Sequence, residues 1–385
     1  MKKSLAFLME FPYQERDFQR FGLNVLSRYF DLHLIEFHPI NSDYNHFLSK
    51  QERKGSRKKY NVILIEGYDH FYSYLCNNPL NYYIDMMDAS FLSFRIRLQL
   101  KKRNTLRIKI TLGLLPWLNN KINIYEKFSN LIKTGKPFTK LTKLIFSKLF
   151  SELEPSVDVF LLSGSKFQIR PSSKAFEIWT HSFDYQKYLE LENENKFDNL
   201  GSYALFIDQY APSHPDYKFH NNKPPVSKNI YYNSLNNFFD FFQKKTGLKI
   251  VVAGHPRRDL GTSNDWNGRE QIIGKTPELV RQASIVLSHY STSLSYAVIF
   301  RIPILLITSD EYENSYRKHQ ISAFSDALKV HIVNTDKYNE FEITNEIFNI
   351  NETSFLDYEE KYIKSKYSKS NDIWQHFSER LLEFK

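Results

Sequence analysis

One pattern, met twice in the C-terminal half, constrains the fold of this chain more than any other. An apolar run rich in β-branched residues, Lys249-Ile-Val-Val-Ala-Gly254, stops abruptly at His255-Pro256-Arg257-Arg258. A second run, Ser284-Ile-Val-Leu-Ser288, stops as abruptly at His289-Tyr290-Ser291-Thr292-Ser293. Continuous apolar runs of this length are strands covered on both faces, and in parallel sheets the groups that follow them are delivered to the carboxyl edge. Parallel strands need long crossovers, usually helical, so the pattern commits the chain to an α/β fold.

The rest of the sequence keeps that alternation. Ser4 to Glu10 reads as a strand, Asp17 to Tyr29 as a helix, Leu32 to Phe37 and Asn61 to Glu66 as strands, and His70 to Cys76 as an aromatic helix. Strands at Leu106 to Leu115 and Val157 to Ser163 follow. From Tyr203 the series restarts with a strand ending at Asp208, a helix from Asn229 to Thr246, and the strand at Lys249. A short strand at Gln271 to Ile273, a helix from Thr276 to Gln282, the strand at Ile285, a helix after Thr292 and a strand at Ile304 to Ile307 complete it. Strands that alternate with helices in this way build βαβ units. A chain of 385 residues exceeds what one core usually serves, which predicts two domains. The expected division is residues 1–165, a crossover at 166–200, a second domain at 201–357, and a terminal helical region at 358–385 that packs back across both. Two Rossmann-like domains facing a cleft describe the GT-B architecture.

Charge is unevenly placed. The net charge is +9, yet Arg95 to Lys148 holds fourteen Lys or Arg against one acid, Glu126, which leaves the remainder slightly acidic. An anionic lipid surface, a nucleic acid or a polyanionic substrate would each suit such a segment. Phe138, Leu141, Ile145 and Leu149 fall near one helical face, with Lys140, Lys143 and Lys148 off it. That is the pattern of a helix lying on an anionic membrane, and equally of a packing helix with a solvated lysine face. No RRM, KH or zinc-finger pattern is present, so no nucleic-acid partner is expected. The single cysteine, Cys76, excludes an internal disulfide framework and a cysteine-based zinc site, and suits a reducing cytoplasm. No run approaches the roughly 18 to 20 apolar residues of a membrane span. The stretch Leu5 to Phe11 is too short for a signal sequence, and the expected location is cytoplasmic, peripheral on the inner membrane face.

The strand ends carry the candidate chemistry. Ser288, Ser291, Thr292 and Ser293 stand where a helix is about to begin, and free N–H groups at such a place bind phosphate or carboxylate. Capping needs one hydroxyl, and three follow Tyr290. Arg257 and Arg258 are either a solvated pair or a contact to phosphate. Asp208 either caps its turn or acts on substrate. His214-Pro215-Asp216 and His289 are weaker candidates. Ser309-Asp310-Glu311 reads as a helix cap with two acids, or as a ribose contact.

Phe206-Ile-Asp208-Gln209, Gly254-His255-Pro256 and Ser291-Thr292-Ser293, taken in that order over roughly Tyr203 to Thr308, resemble bacterial GT-B sialyltransferases and related ulosonic-acid transferases. Those enzymes carry an acidic, a His-Pro and a Ser-Ser or Ser-Thr motif in the same order. The resemblance implies a CMP-activated ulosonic acid as donor, a sialic-like nonulosonate or Kdo. It implies that His255, Gly254, Pro256, Arg257, Ser288 and the Ser291, Thr292 and Ser293 helix start hold the donor, with Asp208 as base. Here Gln209 stands where the family has a second acid. Glu66-Gly67-Tyr68-Asp69, on the acceptor-side domain, supplies Glu66 and Asp69 as alternative bases. No Asp-x-Asp occurs in the chain, and no metal or other cofactor is expected. The acceptor implied is a surface polysaccharide or lipid-linked glycan. Alternatives are a CDP-glycerol-type polyol-phosphate or UDP-sugar transferase of the same fold, and a non-catalytic membrane- or nucleic-acid-binding protein.

Overall fold

The computed structural model describes residues 2–10, 12–13, 15–37, 61–88, 90–116, 153–166, 174–192, 202–215, 217, 223–258, 264–315, 317–369 and 371–384. Two parallel sheets organise them. The first contains β1 (Lys3–Met9), β2 (Phe30–Glu36), β3 (Val62–Leu64), β4 (Tyr82–Asp85), β5 (Leu106–Thr111), β6 (Val159–Leu162) and β7 (Phe176–Trp179), in the order β3-β2-β1-β4-β5-β6-β7. The second contains β8 (Tyr203–Ile207), β9 (Lys249–Gly254), β10 (Gln271–Ile273), β11 (Ile285–Ser288), β12 (Ile304–Thr308) and β13 (Ile332–Asn334), in the order β10-β9-β8-β11-β12-β13. Every residue of β8, β11 and β12 is buried, as strands covered on both faces must be. In each sheet the order reverses beside its first strand, between β1 and β4 and between β8 and β11. Such a reversal opens a crevice at the carboxyl ends of the strands, where ligands bind in open α/β sheets.

Three strands differ from the sequence expectation. β4 is only four residues, Tyr82-Tyr-Ile-Asp85, pressed against the turn-forming Asn77 to Asn81, yet it is central to the first sheet. β7 lies inside the stretch expected to be a crossover and extends the first sheet past residue 165. β13 closes the far edge of the second sheet. The helix expected over Asp17 to Tyr29 is two helices, Glu15–Arg20 and Leu23–Tyr29. They part at Gly22, whose φ is +53°, and a Cβ there would stand 2.1 Å from Trp374 Cδ1. Glycine alone meets both demands.

Alternate residues of β1 face opposite cores, as the pleat requires. Leu5, Phe7 and Met9 pack with Phe21, Leu26 and the helix Ile373–Glu383, which contributes Trp374, Phe377 and Leu381. Ala6 and Leu8 pack with Phe71 and Leu75 of the helix Tyr68–Asn77 and with Ile96 and Leu100 of the helix Phe91–Lys102. The end of the chain therefore builds the core of the beginning. Its return is stitched by backbone hydrogen bonds: Ser165 N–H donates to Glu360 O (3.0 Å), Lys166 N–H to Lys361 O (3.0 Å) and Ser182 N–H to Ile363 O (2.8 Å). At Gly164 the returning chain passes so close that a Cβ would lie 2.1 Å from Lys361 O.

The basic segment is not uniformly a solvated face. Arg97 and Arg107 are 1% and 3% exposed and share the Asp85 carboxylate, at 2.8 Å from Arg97 Nε and 2.7 Å from Arg107 Nε, with Glu154 closing the cluster. Burial pushes the Asp85 carboxyl up, but the two guanidiniums outweigh it and hold it below its usual range. The expected amphipathic helix at Phe138 to Leu149 lies outside the described residues. No helix among those described is long and apolar enough to cross a membrane.

Candidate functional site

The crevice of the second sheet gathers the groups that end β8, β9 and β11. Asp208, 3% exposed, follows β8 directly. Its Oδ1 accepts the Tyr210 N–H at 2.8 Å, and its Oδ2 accepts Arg258 Nη1 at 2.9 Å and the His255 N–H at 3.5 Å. Arg258 also donates to Tyr232 Oη at 2.9 Å and to Asp265 at 2.5 Å. Its guanidinium carbon stands 5.0 Å from the Tyr210 and Trp266 ring centres. Burial pushes the Asp208 carboxyl up, while Arg258 pulls it back. Asp208, the base expected from the sequence, ties the β8 and β9 turns together, with Arg258 as its counter-ion.

His255 is the half-buried group that this tie positions. Its Nδ1 accepts the Arg257 N–H at 3.1 Å, which places the proton of the neutral ring on Nε2 and makes that atom a donor. The ring meets His214 edge to face, with centroids 4.8 Å apart, and lies nearly parallel to Tyr210 at 6.4 Å. Pro256 is exposed and Arg257 half-buried at the lip of the crevice. Gly254 answers to its own sheet: a Cβ would come within 2.4 Å of Gln271 Nε2 and 2.8 Å of Ile273 Cγ1 on β10.

Across the crevice, Ser288 is fully buried, and its hydroxyl has no hydrogen-bond partner among the described residues. His289 is a core residue. Its Nδ1–H donates to Ile307 O at 2.8 Å, its Nε2 accepts from the Tyr231 hydroxyl at 3.0 Å, and burial pushes it down to about 4. The following helix, expected after Thr292, begins at Leu294 and ends at Ile299. A helix this short has little dipole to offer an anion. Ser291 Oγ accepts the Ser293 N–H at 3.2 Å and so shapes the turn, while Thr292 is exposed. Gln209, the residue that departs from the family pattern, receives the Tyr290 N–H at 3.5 Å and bridges the β8 and β11 turns. Ser309 caps the short helix Asp310–Glu313, and Glu311 accepts from the Ser227 N–H and hydroxyl. That run has structural partners.

The crevice of the first sheet holds a residue absent from the sequence candidates. Glu10 follows β1, is 4% exposed, and accepts from the Ser90 hydroxyl at 3.4 Å. Ser90 in turn caps the helix Phe91–Lys102. Burial first, and the charge of Asp88 second, push the Glu10 carboxyl up to about 7 against the pull of Arg97. Glu66 and Asp69 are exposed and follow β3, two strands from the β1–β4 crevice. At strand spacing that is about 10 Å away. They do not join Glu10. The only sequence signal for Glu10 was its place directly after the first strand. Among the described residues no group of three or more His, Cys, Asp or Glu side chains is arranged to hold a metal ion.

No protein-family model matches this chain, and no curated protein sequence does. Solved structures match it along nearly its whole length. The MurG protein of Acinetobacter baumannii superposes with a TM-score of 0.50 at 7% identity, covering 99% of this chain and 100% of that one. The UDP-GlcNAc 2-epimerase of Methanocaldococcus jannaschii gives 0.50 at 11% identity, with 99% and 100% covered. A further UDP-N-acetylglucosamine 2-epimerase gives 0.50 at 9%, with 100% and 97% covered. At these identities the likeness establishes the fold: two parallel-sheet α/β domains in the GT-B arrangement.

Proposed function

We propose that this chain is a glycosyltransferase that moves a sugar from a nucleotide-activated donor to an acceptor hydroxyl. The observation that carries the reading is the contrast between its two crevices. One presents hydrogen-bond donors, His255 Nε2–H with Arg257 and the Ser291 to Ser293 turn, suited to a departing phosphate. The other holds a carboxyl, Glu10, raised to about 7, the range in which a general base works best. In this reading Asp208 and Gln209 position the donor side, and phosphate charge is met by the chain's own donors without a metal.

The order of the Asp208, His255 and Ser291 to Ser293 motifs favours a CMP-activated ulosonic acid as donor. The acceptor would be a polysaccharide or lipid-linked glycan at the cytoplasmic face of a membrane. A UDP-sugar donor is the second reading, favoured by two structural neighbours named for UDP-GlcNAc. Purified protein incubated with panels of CMP- and UDP-sugars and EDTA separates them. The expected result is CMP release that EDTA leaves intact. Release of UDP alone replaces the donor, and release of neither overturns the activity.

Glu10 has its own test. A base with a folded pKa of about 7 is protonated and idle below that value, so kcat/KM should rise with pH up to about 7 and level off above it. Glu10→Gln should lower kcat by about a hundredfold or more and abolish the acid limb, with KM for donor little changed. A variant that keeps the limb assigns the base elsewhere.

A further inference from the structure

The helices Tyr68–Asn77 and Phe91–Lys102 cover one face of the first sheet, and their inner sides are accounted for by Phe71, Leu75, Ile96 and Leu100. Their outer sides are unusual for helices that face water. Phe91 is 60% exposed, Tyr72 48% and Leu98 37%. Phe91, Arg95, Leu98 and Lys102 follow one another at helical spacing and form a single outward stripe. Cations are interleaved with the rings. The Arg95 guanidinium lies 3.9 Å from the Tyr68 ring centre and 5.7 Å from that of Phe91, so it joins the two helices. Arg103 lies 5.2 Å over Tyr72 and reaches Cys76 Sγ at 3.3 Å. From Phe91 to Arg103 there is no acidic residue, and the one acid of the neighbouring helix, Asp69, sits in its first turn.

We propose that this two-helix face docks the first domain on an anionic membrane surface. Apolar residues scattered singly are ordinary on a protein exterior, but an aromatic and aliphatic stripe with cations threaded through it is not. Aromatic rings favour the headgroup zone of a bilayer, and guanidinium and ammonium groups beside them meet lipid phosphates while their stems cover apolar surface. Leu98, with no polar atom to offer, suits an acyl boundary better than a nucleic-acid backbone. The inference takes its purpose from the membrane-linked acceptor proposed above, but it concerns a surface apart from both crevices.

Sedimentation of the full chain with vesicles tests it directly. Binding is expected to vesicles of phosphatidylglycerol and phosphatidylcholine in equal parts, not to phosphatidylcholine alone, and should weaken as salt screens the surface. The Arg95→Glu, Lys102→Glu double variant should bind at least about tenfold more weakly, because each basic residue near such a surface adds to the attraction. Phe91→Ser with Leu98→Ser should also weaken binding. All four residues point outward, so the melting curves should stay near wild type, and nucleotide release on a short soluble acceptor should be unchanged, which separates this inference from the donor reading. Wild-type-like vesicle binding by both double variants overturns the proposal, as does absence of vesicle binding. Equally fatal is conversion of a dimer to a monomer by Phe91→Ser, or retention of single-stranded RNA in place of vesicles.

Discussion

His255→Ala should reduce kcat for nucleotide release by about a hundred- to a thousandfold, the range lost when one preorganised donor to a developing negative charge is removed. The ring is half-buried, so its loss costs little packing. Its chemistry is set locally: with Nδ1 engaged by the Arg257 N–H, the neutral imidazole carries its proton on Nε2. Arg258, in the same turn, is committed to Asp208, Tyr232 and Asp265. The check is kcat and KM on the donor, beside a thermal melt. Lower kcat with an unshifted melt supports a contact that strengthens as the phosphate departs, whereas unchanged kcat removes His255 from the chemistry. Asp208→Asn is the instructive companion. It withdraws a counter-charge from buried Arg258, and breaking a buried pair costs about 3–5 kcal/mol, so its damage should appear in the melt as well as in the rate.

Trp374→Ala should destabilise the protein by about 3–5 kcal/mol, the cost of truncating a large aromatic side chain in a core. Trp374 is 3% exposed. Its ring lies 6.2 Å from Phe7 and Phe183, 6.4 Å from Phe21 and 5.7 Å from Phe377, and its Nε1–H donates to Arg20 O at 2.9 Å. It occupies the space that Gly22 leaves open, and Gly22 has no side chain with which to fill the void. Against a total stability of about 5–15 kcal/mol, the loss is large. Denaturant unfolding followed by tryptophan-independent circular dichroism measures it. A change below about 1 kcal/mol would show that the terminal helix merely rests on the first domain.

Much of the architecture was legible because its causes are local. Buried parallel strands appear as continuous apolar runs, and β8 to β12 were read from such runs with bounds close to those observed. The abrupt polar ends placed Asp208, His255 and Ser291 to Ser293 on one carboxyl edge. β4 was not legible. Four residues beside an Asn-rich turn become a central strand only because β1 and β5 leave a gap of one strand between them. Gly22 betrayed nothing either, since the residue that demands it lies at the far end of the chain.

The sequence by itself determined the α/β alternation, the division into two halves and the chemical types at the strand ends, because hydrophobic period and turn chemistry act between near neighbours. Only the tertiary structure decided what each charged group does. Asp208 and Glu10 are both acids at the end of a first strand. One is paired with Arg258 and tied into the turns around it, while the other stands beside Asp88 and is pushed up to about 7 by burial and that charge. Arg97 and Arg107, counted with a basic surface from the sequence, are interior because Asp85 and Glu154 reach them. A carboxyl or guanidinium takes its role from the dielectric and the charges around it, and folding brings those from segments that are distant in the chain.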